Sequence, residues 1–304
     1  MHYAVVGAGN IGCLYGSNLA LDGHEVTMID VAKEHVEAIN THGLKMDGLH
    51  GEFTAQVRAT TDPSSVSDAD VALICVNGYS TSAAAATANL VLNNDGFAIS
   101  LQNGVGNIET LVAVLGANRV LGGLTFHSAD MQGPGHVSHT NEGSTFIGEL
   151  SGERTDRVEQ VAAHLDQANM NPVIEPDIMN TIWAKFVHNC GINAICAITD
   201  LSPGDISDVP ELEQFQKSII GEVLALLEAK GIELSDPDPT QTIIDYSRSK
   251  FHRVSMAQHL DREMRTEIDS LNGYVASESP KYDLLAPMND AITRLMKGRE
   301  YKPA

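Results

Sequence analysis

A hexapeptide near the N-terminus, Gly7-Ala8-Gly9-Asn10-Ile11-Gly12, constrains the fold more than any other stretch of the chain. It follows the apolar run His2–Val6 directly and opens the helical pattern Ile11–Leu21. Between a strand and a helix, each glycine meets a separate demand. Gly7 permits a tight turn, Gly9 lets the backbone approach a pyrophosphate, and Gly12 lets the helix pack close to the strand. The N–H groups of the helix start, at Asn10 and Ile11, then face the phosphates. Alone, the hexapeptide also reads as a structural turn. Asp30 weighs against that reading: it lies 18 residues beyond Gly12, at the end of a second apolar run, Glu25–Ile29. A carboxylate there accepts hydrogen bonds from both ribose hydroxyls and repels a 2′-phosphate. Neither Val31 nor Ala32 supplies an arginine, and Lys33 is the nearest cation. The alternative for Asp30 is a helix N-cap. The expectation is NAD(H), with NADP(H) less favoured.

The rest of the first half repeats the strand–helix alternation. Val31–Thr41 reads as a helix, and Val71–Val76 as a strand buried on both faces. Ala98–Leu101 and Val120–Leu124 are further strands. Alternation of this kind predicts a parallel sheet covered on both sides. Arg154–Ala168 then reads as an amphipathic helix, and Pro172–Pro176 as a short strand and a break. Beyond Met179 the periods are nearly all helical: Ile182–Ile198, Glu211–Lys230, Pro239–Arg253, Arg262–Ser277 and Pro287–Lys297. The predicted class is α/β, a Rossmann-type parallel-sheet domain over residues 1–175 followed by an all-helical domain over residues 176–304.

Charge and cysteine usage narrow the function classes. With 19 Lys+Arg against 40 Asp+Glu the net charge is −21, which opposes nucleic acid and anionic membrane surfaces as partners. A small anionic ligand in a locally positive pocket stays open. Cys13, Cys75, Cys190 and Cys196 show neither a CxxC pair nor zinc spacing, so free thiols and no metal are expected. His136 and His139 read as a turn and short strand. The N-terminus enters a strand with no signal-type segment, and no apolar run has membrane length. A cytoplasmic location is the expectation.

In the helical half, Lys185, Asn189 and Asn193 stand four apart within Trp183–Asn193 and form one polar stripe on a helix. Lys, Asn and Asn among Phe186, Val187 and Ile192 suit neither an ordinary surface nor an unpartnered core. A ligand-facing stripe answers both objections, and a solvated face is the plainer alternative. Farther on come SMAQ at 255–258 and RTEIDSLNG at 265–273. With GAGNIG at 7–12, QNGVG at 102–106, WAKFVHN at 183–189 and APMND at 286–290, the chain resembles the ketopantoate reductase (2-dehydropantoate 2-reductase) family over essentially its full length.

The resemblance implies roles residue by residue. Lys185 matches the lysine that protonates the substrate carbonyl oxygen, and Glu267 the glutamate that holds a substrate hydroxyl and orients that lysine. Asn189, Asn193 and Ser255 match positions that hold the 2-oxo acid, and Asn103 an asparagine beside nicotinamide and substrate. Three departures stand out. Asn77 occupies the place of the family's usual lysine after the third-strand run, beside the cofactor. Asp30-Val31 replaces the basic residue common in NADP(H)-dependent members, and His259 replaces a commonly acidic residue. The implied activity is NAD(H)-dependent reduction of ketopantoate to D-pantoate in pantothenate synthesis. A D-2-hydroxyacid dehydrogenase acting on another branched or aromatic 2-oxo acid is the alternative, and a non-catalytic dinucleotide sensor is the alternative of another class. The partner is a small 2-oxo acid, and a homodimer is compatible with the helical half.

Overall fold

Strand β1 (His2–Val6) is enclosed on both faces, with Tyr3, Ala4 and Val5 fully buried, because parallel strands lie along each of its edges. The computed structural model describes residues 1–302 and divides into two units, Met1–Thr181 and Ile182–Ala304. The first unit continues with α1 (Asn10–Leu21), β2 (Glu25–Ile29), α2 (Lys33–His42), β3 (Leu44–Gly48), β4 (Phe53–Ala55), β5 (Arg58–Thr60), β6 (Ala69–Ile74), α3 (Thr81–Val91) and β7 (Leu92–Ser100). Then come α4 (Asn107–Leu115), β8 (Val120–Thr125), β9 (Ser128–Gly133), β10 (His136–Asn141), β11 (Thr145–Glu149), α5 (Asp156–Gln167) and β12 (Pro172–Ile174). The helix α6 (Ile178–Thr199) runs across the division. It is followed by α7 (Pro203–Ser207), α8 (Pro210–Ala229), α9 (Pro239–Arg248), α10 (Ser255–Asp261), α11 (Asn272–Glu278) and α12 (Pro287–Glu300).

The main sheet has the order β12-β11-β8-β7-β6-β1-β2-β5. From β5 to β8 all pairs are parallel, as the strand–helix alternation predicts. The order reverses at β1, whose neighbours are β2 on one side and β6 on the other. That reversal opens a crevice at the carboxyl ends of these strands, the place where such sheets bind ligands. The pair β8–β11 is antiparallel. A second sheet, β4-β3-β10-β9, has a counterpart in the sequence reading only at β10, as the short strand at His136 and His139. Its strands are short and half-buried, and Lys45 and Asp47 interrupt the apolar pattern of β3.

In the helical unit, α6 buries Phe186, Val187, Cys190, Ile192, Ala194, Ile195 and Cys196. Gly191 lets it approach α8, because a Cβ at that position would stand 2.8 Å from Ile220 Cγ1. The segment expected as one helix over 262–277 is broken. Helix α10 ends at Asp261, Glu263 takes a left-handed φ of 56°, and a single turn spans Ile268–Ser270 before α11 begins. No Pro or Gly marks this break in sequence. Its cause is tertiary: the Glu300 carboxylate accepts from both the Thr266 N–H (2.6 Å) and hydroxyl (2.5 Å). Similarly, α9 stops at Arg248 rather than Arg253. All four cysteines are free thiols. Among the described residues no helix is long and apolar enough to cross a membrane, and no cluster of three His, Cys, Asp or Glu could hold a metal.

The closest backbone approach in the first unit lies at Gly12, where a Cβ would stand 2.0 Å from the Gly7 carbonyl oxygen. Gly12→Ala therefore displaces α1 from β1, and a loss of about 3 kcal/mol or more is expected in urea unfolding, the upper range of overpacking costs.

Candidate active site

The glycine loop leaves β1 between its two neighbours. The Gly7 N–H donates to Ile29 O at 2.9 Å, and the Cys75 N–H donates to Val6 O at 2.9 Å. Gly7 has φ 97°, and a Cβ there would meet Val76 Cγ1 at 2.7 Å. These two contacts explain Gly7 and Gly12 from within the protein. Gly9 differs: a Cβ built on it meets no atom within 4 Å. Nothing inside the protein requires glycine there, so the open space above it is suited to a ligand. Helix α1 begins with neither a side-chain cap nor an acidic residue in its first turn. Its leading N–H groups, at Asn10, Ile11 and Gly12, are thus left uncapped by side chains, the arrangement that receives a phosphate. The Asn10 side chain is turned to structure, its Oδ1 accepting from the Met131 N–H at 3.0 Å. These residues fit the pyrophosphate of a dinucleotide.

Asp30 stands at the end of β2. Its Oδ2 accepts from Ala8 N–H at 2.8 Å, and its Oδ1 accepts from Ala32 N–H at 2.9 Å. The N-cap of α2 is Ala32, so the capping alternative does not describe Asp30. Val31, beside it, is 93% exposed. Asn77 follows β6, and its Nδ2 donates to Tyr79 Oη at 2.8 Å. Asn103 follows β7 and is half-buried, its carbonyl accepting from Asn107 Nδ2 at 2.9 Å. Sequence reasoning missed what ties these two loops together. Buried Gln102 donates through Nε2 to Val76 O (2.9 Å) and to Thr81 Oγ1 (2.8 Å), while the Thr81 hydroxyl reaches Asn107 Oδ1 at 2.7 Å. Gln102 stood in view, in the QNG triplet beside Asn103.

The second group of residues lies in the helical unit. Lys185 and Asn193 are half-buried on α6, and Asn189 is buried between them, which removes the solvated-face reading of the stripe. Ser255 is exposed at the first residue of α10. Glu267 is buried where the chain enters the turn before α11. The fold brings Glu267 and Lys185 into electrostatic contact: burial pulls the amine down to about 8, and the Glu267 carboxylate opposes that fall. One turn along α6, burial, Lys185 and His252 push His188 down to about 4, so its imidazole is neutral at ordinary pH. A lysine held near 8 gives up and regains a proton at physiological pH, as a general acid–base group must.

Comparison with known proteins agrees with this arrangement. Residues 3–152 match the family described as ketopantoate reductase PanE/ApbA, and residues 177–300 match the C-terminal part of the same family. The chain belongs to the ketopantoate reductase family. It is 32% identical to the 2-dehydropantoate 2-reductase of Halobacterium salinarum over 98% of both chains. It is 31% identical to that of Archaeoglobus fulgidus over 97% of both. Among solved structures, a PanE/ApbA family ketopantoate reductase from Ralstonia eutropha superposes with a TM-score of 0.90 at 32% identity, covering 99% of this chain and 98% of the other. A D-mandelate dehydrogenase in ternary complex with NADH and anilino(oxo)acetate shares the fold, with a TM-score of 0.90 at 24% identity over 99% and 98% of the two chains. As a ketopantoate reductase family member, the protein is a dinucleotide-binding oxidoreductase acting on a CH–OH group of a small molecule.

The open space at Gly9 separates binding from folding. Gly9→Ala is expected to leave the unfolding free energy within about 0.5 kcal/mol of the parent while weakening dinucleotide binding about tenfold or more, measured by fluorescence titration.

Proposed function

We propose that this ketopantoate reductase family member reduces 2-dehydropantoate to D-pantoate with NADH, a step of pantothenate biosynthesis. The observation that carries the reading is the approach of Glu267 to half-buried Lys185 in the helical unit, where burial of the amine pulls it down to about 8. The relatives at 31–32% identity over full length carry the 2-dehydropantoate 2-reductase name and support the substrate. A bound nicotinamide supplies the hydride that reaches the substrate's C2. Lys185 gives its proton to the carbonyl oxygen as that oxygen becomes an alkoxide, and the amine is neutral afterwards. Glu267 accepts a hydrogen bond from the substrate hydroxyl and keeps the ammonium oriented. Asn189, Asn193 and Ser255 hold the 2-oxo acid from α6 and α10, and Asn103 borders the reacting groups.

Gly7, Gly9, Asn10, Ile11 and Gly12 hold the pyrophosphate, and Asn77 borders it. Asp30 sets the choice of NAD(H): its two oxygens are fixed by Ala8 and Ala32 and keep lone pairs for the ribose hydroxyls. A 2′-phosphate would meet this carboxylate at close range, with exposed Val31 in place of a cation. The D-mandelate dehydrogenase that shares the fold was solved with NADH, which supports the same choice. One observation favours a second substrate. The Asn77 amide is neutral and directed to Tyr79, so this edge of the site lacks the positive charge usual in the family, and another branched or aromatic 2-oxo acid then becomes the substrate.

The deciding experiment compares initial rates of NADH and NADPH oxidation with ketopantoate and a panel of 2-oxo acids. Fast NADH oxidation with ketopantoate is expected. Activity on another 2-oxo acid alone selects the D-2-hydroxyacid dehydrogenase reading, and tight NADH binding without any turnover selects the sensor. Asp30→Ala is expected to shift the NADPH:NADH preference toward NADPH by about tenfold or more. The acid must be protonated for reduction, so kcat/KM for reduction should fall as pH rises through about 8, and kcat/KM for alcohol oxidation should rise over the same range. Lys185→Met should abolish both limbs along with turnover.

A further inference from the structure

Asn272 lies at zero exposure in the helical unit, the first residue of α11. Its Nδ2 donates to the Cys190 carbonyl oxygen on α6 (3.0 Å) and to Asn289 Oδ1 (3.0 Å). Its own Oδ1 is buried with no hydrogen-bond partner. A buried acceptor left unpaired costs about 1–3 kcal/mol, and such a group calls for an explanation in what the rest of the side chain does. The two partners settle which end of the amide faces them, because a backbone carbonyl can only accept. Asn289 is held in turn. Its Nδ2 donates to Ile219 O (3.2 Å) and Glu222 Oε2 (2.7 Å), and the Glu222 carboxylate also accepts from the N–H groups of Met288 and Asn289 (both 2.9 Å). One chain of bonds therefore joins α8, the start of α12, the start of α11 and the middle of α6.

Position gives this chain its meaning. Asn272 lies five residues after Glu267, and Cys190 lies five residues after Lys185 and one after Asn189. The segment between Glu267 and Asn272 is not α-helical: it is a single tight turn of the 3-10 type over Ile268–Ser270, followed by Leu271 at φ −114°, ψ −106°. So short a turn cannot fix its own distance from α6: Glu300 holds its leading end through Thr266, and the bond that ties it to α6 is the one from Asn272. We propose that Asn272 is a positioning residue: the Glu222–Asn289–Asn272 chain clamps the segment bearing Glu267 to the helix bearing Lys185 and so fixes the spacing of the pair. This rests on the reading of Lys185 as proton donor. Glu267 from the turn and His188 on α6 interact electrostatically with Lys185, with His252 and Tyr246 beyond His188 and the Tyr274 ring packed on Trp183 and Phe186. His188 is already neutral near pH 8, so Glu267 is the charge whose distance controls the lysine. Loosening the clamp weakens its pull and lets burial carry the amine lower.

The test is the pH profile of Asn272→Ala beside the parent enzyme, with folding followed by circular dichroism and NADH affinity by fluorescence. The expected result is a basic limb of reduction shifted to lower pH and kcat/KM reduced about 10- to 100-fold, with NADH affinity unchanged. An unmoved limb in folded protein overturns the proposal, whatever the change in thermal stability. Glu222→Gln weakens the far end of the clamp while keeping its shape, and it decides the matter if Asn272→Ala does not fold: a smaller shift of the same sign supports the clamp, and an unmoved limb overturns it. Lys185→Met separates the two claims. Retained turnover there overturns the donor assignment and the clamp with it, whereas lost turnover beside an unmoved limb in the clamp variants overturns the clamp alone.

Discussion

The first unit depends on one approach of backbone to backbone, that of Gly12 on α1 to the Gly7 carbonyl at the end of β1. Any side chain at Gly12 would push helix from strand. Because the two lie so close, the uncapped start of α1 stands directly over the carboxyl end of the central strand, between β2 and β6. Asp30 then reaches back from β2 to the Ala8 N–H, and Gln102 reaches across from the β7 loop to Val76. The loops that border the crevice are thus tied to one another by hydrogen bonds, and preorganisation of that kind lowers the entropic cost of orienting a flexible ligand.

In the helical unit, the governing fact is the cost of burying charge. Lys185 sits on α6 among Trp183, Phe186 and Val187, and its amine is held near 8 by two opposed effects, burial and Glu267. Either alone would give a poorer acid–base group at neutral pH: burial by itself drives the lysine too low, and a close carboxylate in water keeps it too high. The balance depends on distance, so the polar side chains buried around α6 bear on the charge of Lys185 as well as on stability.

How much of this is legible in sequence follows from how local each cause is. The glycine loop and Asp30 are readable because their reasons lie within thirty residues and have a fixed spacing. The stripe of Lys185, Asn189 and Asn193 is readable because helical period alone places it on one face. The small second sheet is readable only at His136 and His139, since β4 is three residues long and β3 finds its parallel partner β10 far along the chain, Lys45 opposite His136. The break before α11 is not readable. Thr266 is kept out of a helix by Glu300, 34 residues away, and no local residue announces it. Asn272 falls inside a motif that marks the family, yet its bonds to Cys190 and Asn289 span 82 and 17 residues and emerge only in three dimensions. The family resemblance supplied Glu267; spacing alone would have left it an ordinary helix carboxylate.

The hold that Ala8 and Ala32 have on Asp30 bears on how such a protein can evolve. The same carboxylate shapes the loop that turns over β1 and presents negative charge to whatever enters beside exposed Val31. The two properties cannot drift separately. A lineage that exchanged Asp30 for a residue without a side-chain acceptor would lose the partner of the Ala8 N–H at the same step. Any change of charge at this edge of the loop therefore also disturbs the turn over β1, and the shape of the loop and its charge are inherited together.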